Sequence, residues 1–375
     1  MRRSNIIFVV ICVVYVYGMG IWTLLRPHSD FSEEENRALA VFPRISSNSF
    51  WNGELLWDTS DFFCDQFPLR RNFTNIKAVC EQALVRHENN GVIFGKDGYL
   101  MISPKYEDLS LYKKNLGEIG AFCEKYRERG IDTEVFFAPR GVDVLDGYLP
   151  DIYSNSDAER TWGQAREALP YLIDANFEIK SRADAGEYVW YRTDHHWTSR
   201  GAYEGYLRIC DALGEAPYEI NSFEEDVVSG EFYGSVYSKA GVLRADSDEV
   251  EILRPSESLR VVNYDSGESF EGIYRLEKCD SKNKYEVFLG GNYGHIGIYS
   301  EDEGKERETV LLIKDSFANC AIQFLAETYD IEVYDLRYFE GKLGEEISRI
   351  APDKILILYG IDTVVTDGSL SLLRR

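Results

Sequence analysis

Between Thr309 and Leu358 the chain alternates strand and helix, and that rhythm restricts the fold more than any other stretch. Thr309-Val310-Leu311-Leu312-Ile313 reads as a buried strand and Phe317 to Thr328 as a helix. Ile331 to Tyr334 reads as a second strand, Gly344 to Ile350 as a second helix and Lys354 to Leu358 as a third strand. Strands joined through helices pair in parallel by right-handed crossovers, so the fold class is α/β. Upstream, Ser110 to Arg129 carries Leu116, Ile119, Phe122, Cys123 and Tyr126 at helical spacing, with Gly130 placed to cap it. Thr133 to Ala138 follows as a buried strand ended by Pro139, a helical stretch runs around Trp162 to Ile173, and Tyr188 to Tyr191 reads as a strand. Thr198 or Ser199 can cap a helix through Leu213. Gly91 to Met101 has a hairpin signature. From about 215 to 300, short β-prone runs such as Val261-Val262 and Tyr285 to Leu289 alternate with turns, a β-rich insertion or elaboration.

The N-terminus carries an address. Met1-Arg2-Arg3 precedes an uncharged run from Ile6 to Leu25, and twenty helical residues span about 30 Å, the thickness of a bilayer core. That run outlasts the apolar region of a cleavable signal peptide, which points to an uncleaved transmembrane signal anchor, with cleavage as the alternative. Arg2 and Arg3 before the span and Glu33, Glu34 and Glu35 after it place the N-terminus in the cytoplasm and the rest outside. The expected division is a cytoplasmic stub and anchor over residues 1–30 and one extracytoplasmic domain over 31–375. A net charge of -23 argues against nucleic acid as a partner. The seven cysteines form no C-x-x-C pair and no tight Cys/His cluster, which argues against structural zinc.

Two of the five histidines lie side by side in Tyr191-Arg192-Thr193-Asp194-His195-His196-Trp197-Thr198. In an extended segment residues i and i+2 share a side. Asp194 can then accept from one ring nitrogen of His196 and leave the other for a nucleophile, the orienting logic of a Ser-His-Asp triad. On the same geometry His195 points away. A metal reading of Asp194 and a histidine lacks a third ligand at nearby spacing, and a purely structural His-Trp cluster is the bland alternative. Ser316 sits where the Leu311-Leu312-Ile313 strand turns into a helix, at a strand's carboxyl end, the usual place for α/β sites. Its own N–H and neighbouring helix amides can face an oxyanion. Equally, Asp315 or Ser316 can simply cap that helix.

Tyr-Arg-Thr-Asp-His-His-Trp-Thr followed by Gly201-Ala202-Tyr203 resembles the signature of the DHHW family of bacterial exported proteins. Asp315-Ser316-Phe317-Ala318, Phe288 to Tyr293 and Asp335-Leu336-Arg337-Tyr338 resemble its later blocks, and the likeness begins near Ser32-Glu33-Glu34-Glu35-Asn36-Arg37. That family is similar to the SGNH-like proteins that O-acetylate alginate and other exopolysaccharides. The resemblance implies a flavodoxin-like parallel sheet flanked by helices, with Ser316 as nucleophile, His196 as general base and Asp194 as its orienter. It further implies a polysaccharide substrate, acyl transfer to a sugar or to water, no cofactor, and a membrane-bound O-acyltransferase as acetyl donor. Lys314 stands where the family usually has glycine before Asp-Ser. No asparagine occupies the oxyanion position in Tyr359-Gly360-Ile361-Asp362, so Asn292 is the substitute candidate, and Arg140 and Arg337 are candidate contacts to an acidic glycan. A catalytically weak module that binds glycan or assembles with a membrane acyltransferase is the rival.

Overall fold

The computed structural model describes residues 2–32, 37–83, 87–241, 245–302, 304 and 306–374. Glu33, Glu34, Glu35 and Asn36 lie outside the described residues. Contacts divide the chain into two units, one of residues 1–90 with 237–244, the other of 91–236 with 245–375.

The first unit opens with α1 (Arg2–Leu25), whose Asn5–Leu25 stretch is long and apolar enough to cross a membrane. Among its described side chains Ile6, Phe8 and Val14 are exposed, while Thr23 near its end is buried. The strands β1 (Phe31–Ser32) and β2 (Arg37–Ala38) pair antiparallel. Helices α2 (Ser47–Trp51), α3 (Glu54–Asp65) and α4 (Arg70–Ala83) follow, then β3 (Glu88–Asn89). Ser46 and Ser49 cap α2 reciprocally, a capping box.

The second unit holds the sheet. It begins with an antiparallel hairpin of β4 (Val92–Phe94) and β5 (Leu100–Ile102). After α5 (Ser110–Arg127) comes β6 (Asp132–Ala138), then α6 (Gly141–Val144) and α7 (Ser156–Ala168). Pro170 sits two residues beyond α7 and cannot continue a helix, so the helix expected to reach Ile173 ends early. Leu172 and Ile173 instead form β7, paired parallel to β6. Helices α8 (Asn176–Asp184) and α9 (Ser199–Leu213) follow; Thr198 caps α9 through its hydroxyl, which accepts from the Gly201 amide.

The stretch from 215 to 300 is β-rich, as its composition suggests. Strands β8 (Glu224–Phe232) and β9 (Asp248–Arg254) make an antiparallel ribbon on either side of α10 (Ser235–Ala240). Next come β10 (Leu259–Asn263), β11 (Glu268–Glu271) and β12 (His295–Ser300). The chain then supplies β13 (Thr309–Lys314), α11 (Phe317–Leu325), β14 (Asp330–Tyr334), α12 (Leu343–Ile350), β15 (Lys354–Gly360) and α13 (Ile361–Thr366). The eight strands line up as β11-β10-β12-β14-β13-β15-β6-β7. The five from β14 to β7 are parallel, whereas β12, β10 and β11 extend the edge antiparallel. The sheet is therefore mixed, because the elaboration joins it instead of forming a separate layer.

Side-chain alternation explains the two-sided core. Val310 and Leu312 join one apolar cluster with Phe136, Leu356 and Leu358, covered by residues of α9 and α11. Leu311 and Ile313 join the other with Val135, Ile355 and Ile357, covered by α5, α12 and α13. The chain leaves β13 for a helix on the first face and leaves β15 for a helix on the second. Neighbouring parallel strands whose connections part to opposite faces open a crevice at their carboxyl ends. Ser316 stands at that end of β13.

Candidate active site

Turn chemistry fixes the serine first. Asp315 Oδ1 accepts from the Phe317 amide at 3.0 Å and its Oδ2 from the Gly360 amide at 2.8 Å, so the carboxylate ties the β13 turn to the end of β15. At Gly360 a Cβ would lie 2.5 Å from the Phe317 ring, so only glycine permits this approach. The capping duty falls to Asp315. Ser316 makes no side-chain cap and remains half-buried. The amides of Phe317, Ala318 and Asn319 are all committed within the turn, which removes them as the oxyanion donors the sequence suggests.

The motif stretch is a bent loop, not the strand expected over Tyr188 to Tyr191. Buried Asp248, opening β9, accepts from the Arg192 and Thr193 amides, each at 2.8 Å, from the Thr193 hydroxyl at 2.5 Å and from the Tyr188 hydroxyl. That grip folds the chain back, with the Tyr191 amide on the His196 carbonyl and Thr198 on Val189, and a single bridge between Trp190 and Trp197. Trp197 Nε1 donates to the Phe317 carbonyl at 3.1 Å, which pins the loop to the helix that follows the serine.

The consequence is a short chain of hydrogen bonds. His196 Nδ1 lies 2.6 Å from Asp194 Oδ1, and His196 Nε2 lies 2.9 Å from Ser316 Oγ. A carboxylate only accepts, so Nδ1 carries the proton and Nε2 presents a lone pair to the serine hydroxyl. Asp194 Oδ1 also takes the His196 amide at 3.1 Å, while Oδ2 takes the Ser235 amide at 2.8 Å and hydroxyl at 2.9 Å. Burial works against its charge, yet His195, His196 and the hydrogen bonds hold the Asp194 carboxyl well below the usual carboxylate range. A Cβ on Gly234 would come within 2.3 Å of the Asp194 Cβ, so this close packing requires glycine. Tyr285 completes the enclosure: its ring stacks on His196 with centroids 3.8 Å apart at 5°, and its hydroxyl donates to the Ser316 carbonyl at 3.1 Å.

His195 does not point away, because a bent loop lacks the two-residue alternation of a strand. Its ring centroid lies 3.8 Å from that of His196 and its Nδ1 lies 2.7 Å from Ser235 Oγ. Desolvation and the adjacent His196 push this imidazole down to about 4. Asp194, His195 and His196 also form a group compact enough to present ligand atoms to a cation, within 4.8 Å of one another. The two imidazole–carboxylate and imidazole–hydroxyl contacts already give His196 two partners.

A cleft of about 90 Å³ opens beside this group. Its walls are the three strand-end connections, with Arg140 and Gly141 after β6, Phe317 after β13 and Asp362 after β15, joined by Asp194 and His195. The other residues singled out from the sequence fall differently. Arg140 lines the cleft but is buried, and its guanidinium serves Asp143, Thr161, Tyr106, the Ala158 carbonyl and Asp362. Arg337 and Asn292 are not part of the cleft lining. Arg337 clamps Asp335 at 2.9 and 2.6 Å, and Asn292 Oδ1 accepts from Lys314 Nζ at 2.8 Å and Asn319 Nδ2 at 3.1 Å. Burial pushes the Lys314 ammonium down to about 8 against the pull of Asp335. Sequence reasoning missed Ser235, Asp248 and Tyr285. All three come from the elaboration, and nothing in its irregular pattern sets them apart.

The sheet and its flanking helices have the SGNH-hydrolase-like α/β fold. Residues 92–254 match the family described as SGNH hydrolase-like domain, acetyltransferase AlgX, and residues 175–335 match the DHHW protein family. Each of these matches takes in less than half of the chain, and together they mark what the chain is similar to. The probable alginate O-acetylase AlgJ of Pseudomonas putida is 25% identical over 209 residues, 52% of this chain and 50% of that protein. The chain thus spans about half the length of the curated relatives it matches. A solved DHHW family protein from Eubacterium siraeum superposes with a TM-score of 0.63 at 20% identity, over 77% of this chain and 96% of its own. Bacillus cereus PatB1, solved with a sulfonyl adduct, gives 0.63 at 18% identity over 76% and 99%. At such identities the two structures speak to the fold.

Proposed function

We propose that the protein moves an acetyl group onto a polysaccharide hydroxyl, or removes one to water, by double displacement at Ser316. The single observation that carries this reading is His196, with Nε2 2.9 Å from Ser316 Oγ and Nδ1 2.6 Å from Asp194. In the first half-reaction His196 Nε2 takes the hydroxyl proton as Oγ attacks the donor's carbonyl carbon, and the same proton passes to the departing group. In the second, a sugar hydroxyl or water attacks the acyl carbon, gives its proton to His196, and the Cacyl–Oγ bond breaks with the proton returning to Ser316. Asp194 stays ionised throughout and stabilises the imidazolium. On this reading Ser316's own amide serves as oxyanion donor, and Asn292, Arg337 and Arg140 act by bracing the turn and the cleft wall.

The names of the AlgJ relatives support acetyl transfer and a polysaccharide acceptor. Helix α1 supports a single-pass anchor, with residues 1–30 as stub and span and 31–375 outside the cytoplasm, where a membrane-bound O-acyltransferase would supply the acetyl group. A fluorophosphonate probe on the purified full-length protein tests the nucleophile. Labelling is expected in the wild type and absent in Ser316→Ala; no labelling, or labelling that survives the substitution, would leave a glycan-binding or assembly module instead.

A further inference from the structure

The cleft has a charge that acyl transfer by itself does not call for. Arg140 is the one cation among its described lining residues, and its side chain is only 4% exposed, with every nitrogen engaged inside the protein. Asp362 is the opposite case. Its Oδ1 takes the Tyr106 hydroxyl and a long 3.5 Å contact from Arg140, yet 35% of the side chain stays open. The other acid of the lining, Asp194, is spent on His196 and Ser235. Among the described lining residues an incoming glycan therefore meets one accessible charged group, a carboxylate, within a protein of net charge -23. Arg337, the second arginine that an acidic glycan would need, is bound bidentately to Asp335 and stands outside the cleft lining.

Hydroxyls and carboxylates respond to this surface in opposite ways. A sugar hydroxyl donates to an ionised carboxylate in a charge-assisted hydrogen bond, roughly twice as strong as a neutral one. A uronate can only accept, so at Asp362 it meets another acceptor of like charge, and the protein's wider field repels it before it arrives. We propose that the acceptor is an uncharged polysaccharide, and that Asp362 selects it by accepting from a sugar hydroxyl while turning carboxylates away. This rests on the acyl-transfer reading above and specifies its substrate class.

The test uses the full-length protein in detergent with 4-nitrophenyl acetate as donor. The acceptors are a neutral oligosaccharide and an oligouronate of matched length and linkage, and acetylated products are counted by mass spectrometry. Transfer to the neutral acceptor is expected to exceed that to the oligouronate by about tenfold or more at low salt, a gap that narrows as salt screens the repulsion. Asp362→Asn should lower kcat/KM for the neutral acceptor and shrink the ratio between the two. Equal or greater transfer to the oligouronate by the wild type overturns the inference, as does an unchanged ratio in a folded Asp362→Asn. Release of 4-nitrophenol without acceptor separates the two levels. Serine-dependent release with a preference for uronate defeats only the substrate class, whereas no such release brings down the acyl-transfer reading and this inference together.

Discussion

Replacing Asp248 with asparagine should uncouple the histidine from the serine without touching either. The Asp248 side chain is fully buried and its two oxygens receive four donors: the Tyr188 hydroxyl and Arg192 amide on Oδ1, the Thr193 amide and hydroxyl on Oδ2. Asparagine keeps one oxygen and turns an amino group toward the remaining donors, so two of the four lose their acceptor. A buried donor left unmade costs about 1–3 kcal/mol, giving a loss of about 2–6 kcal/mol. Those donors hold the loop that carries Asp194 and His196, and a misplacement of about 1 Å in a reacting group costs about 10²-fold in rate. The assay pairs denaturant midpoints with 4-nitrophenyl acetate turnover in Asp248→Asn and wild type. A lower midpoint and a kcat down by about 10²-fold are expected. A variant equal to wild type in both would refute the claim that this carboxylate builds the site.

Two further outcomes follow from the same neighbourhood. Tyr285→Phe removes the bond to the Ser316 carbonyl but keeps the ring stacked on His196, so kcat should fall only about threefold to tenfold. Tyr285→Ala removes both and should cost far more; equal losses in the two variants would show that the stacked ring does not position His196. Lys314 offers a pH test. Its folded value of about 8 lies below its ordinary 10.5, so between those values the native state binds fewer protons than the unfolded chain. The burial cost of the charged form is then fully present below pH 8 and is relieved as pH rises to 10.5, by at most about 3 kcal/mol. The difference in unfolding free energy between wild type and Lys314→Met should drift by that amount across the window; parallel curves would contradict it.

The parallel half of the sheet was legible because its signals are local. Val310 to Ile313 and Ile355 to Leu358 are continuous apolar runs of strand length bounded by helical repeats, as strands buried on both faces must be. The pairing of Asp194 with His196 was also legible, though the reason differed from the expected one. Strand alternation suggested it; the bent loop achieves it by turning the His196 amide as well as its ring onto the same carboxylate. That difference explains why His195 faces the cleft instead of leaving it. What could not be read is the part that Ser235, Asp248 and Tyr285 of the elaboration play at the site. Tyr285 sits in a tight turn, Lys284–Val287, where a strand was expected, because the following Leu289, Gly290 and Gly291 all take positive φ. Ser235 and Asp248 are single polar residues at the starts of α10 and β9, and their partners lie 41 and 55 residues away. Side chains that act at such separations leave no period for pattern reading to find.

The hydrogen bond between His196 and Ser316 closes a loop of 120 residues. Bringing two such points together costs about 4 kcal/mol of chain entropy, and nothing local repays it until the sheet between them has formed. A partly folded chain therefore carries the serine alcohol and the imidazole apart from one another. On the acyl-transfer reading proposed above, reactivity would arrive only with this long-range contact, so the appearance of esterase turnover would serve as a clock for the end of folding.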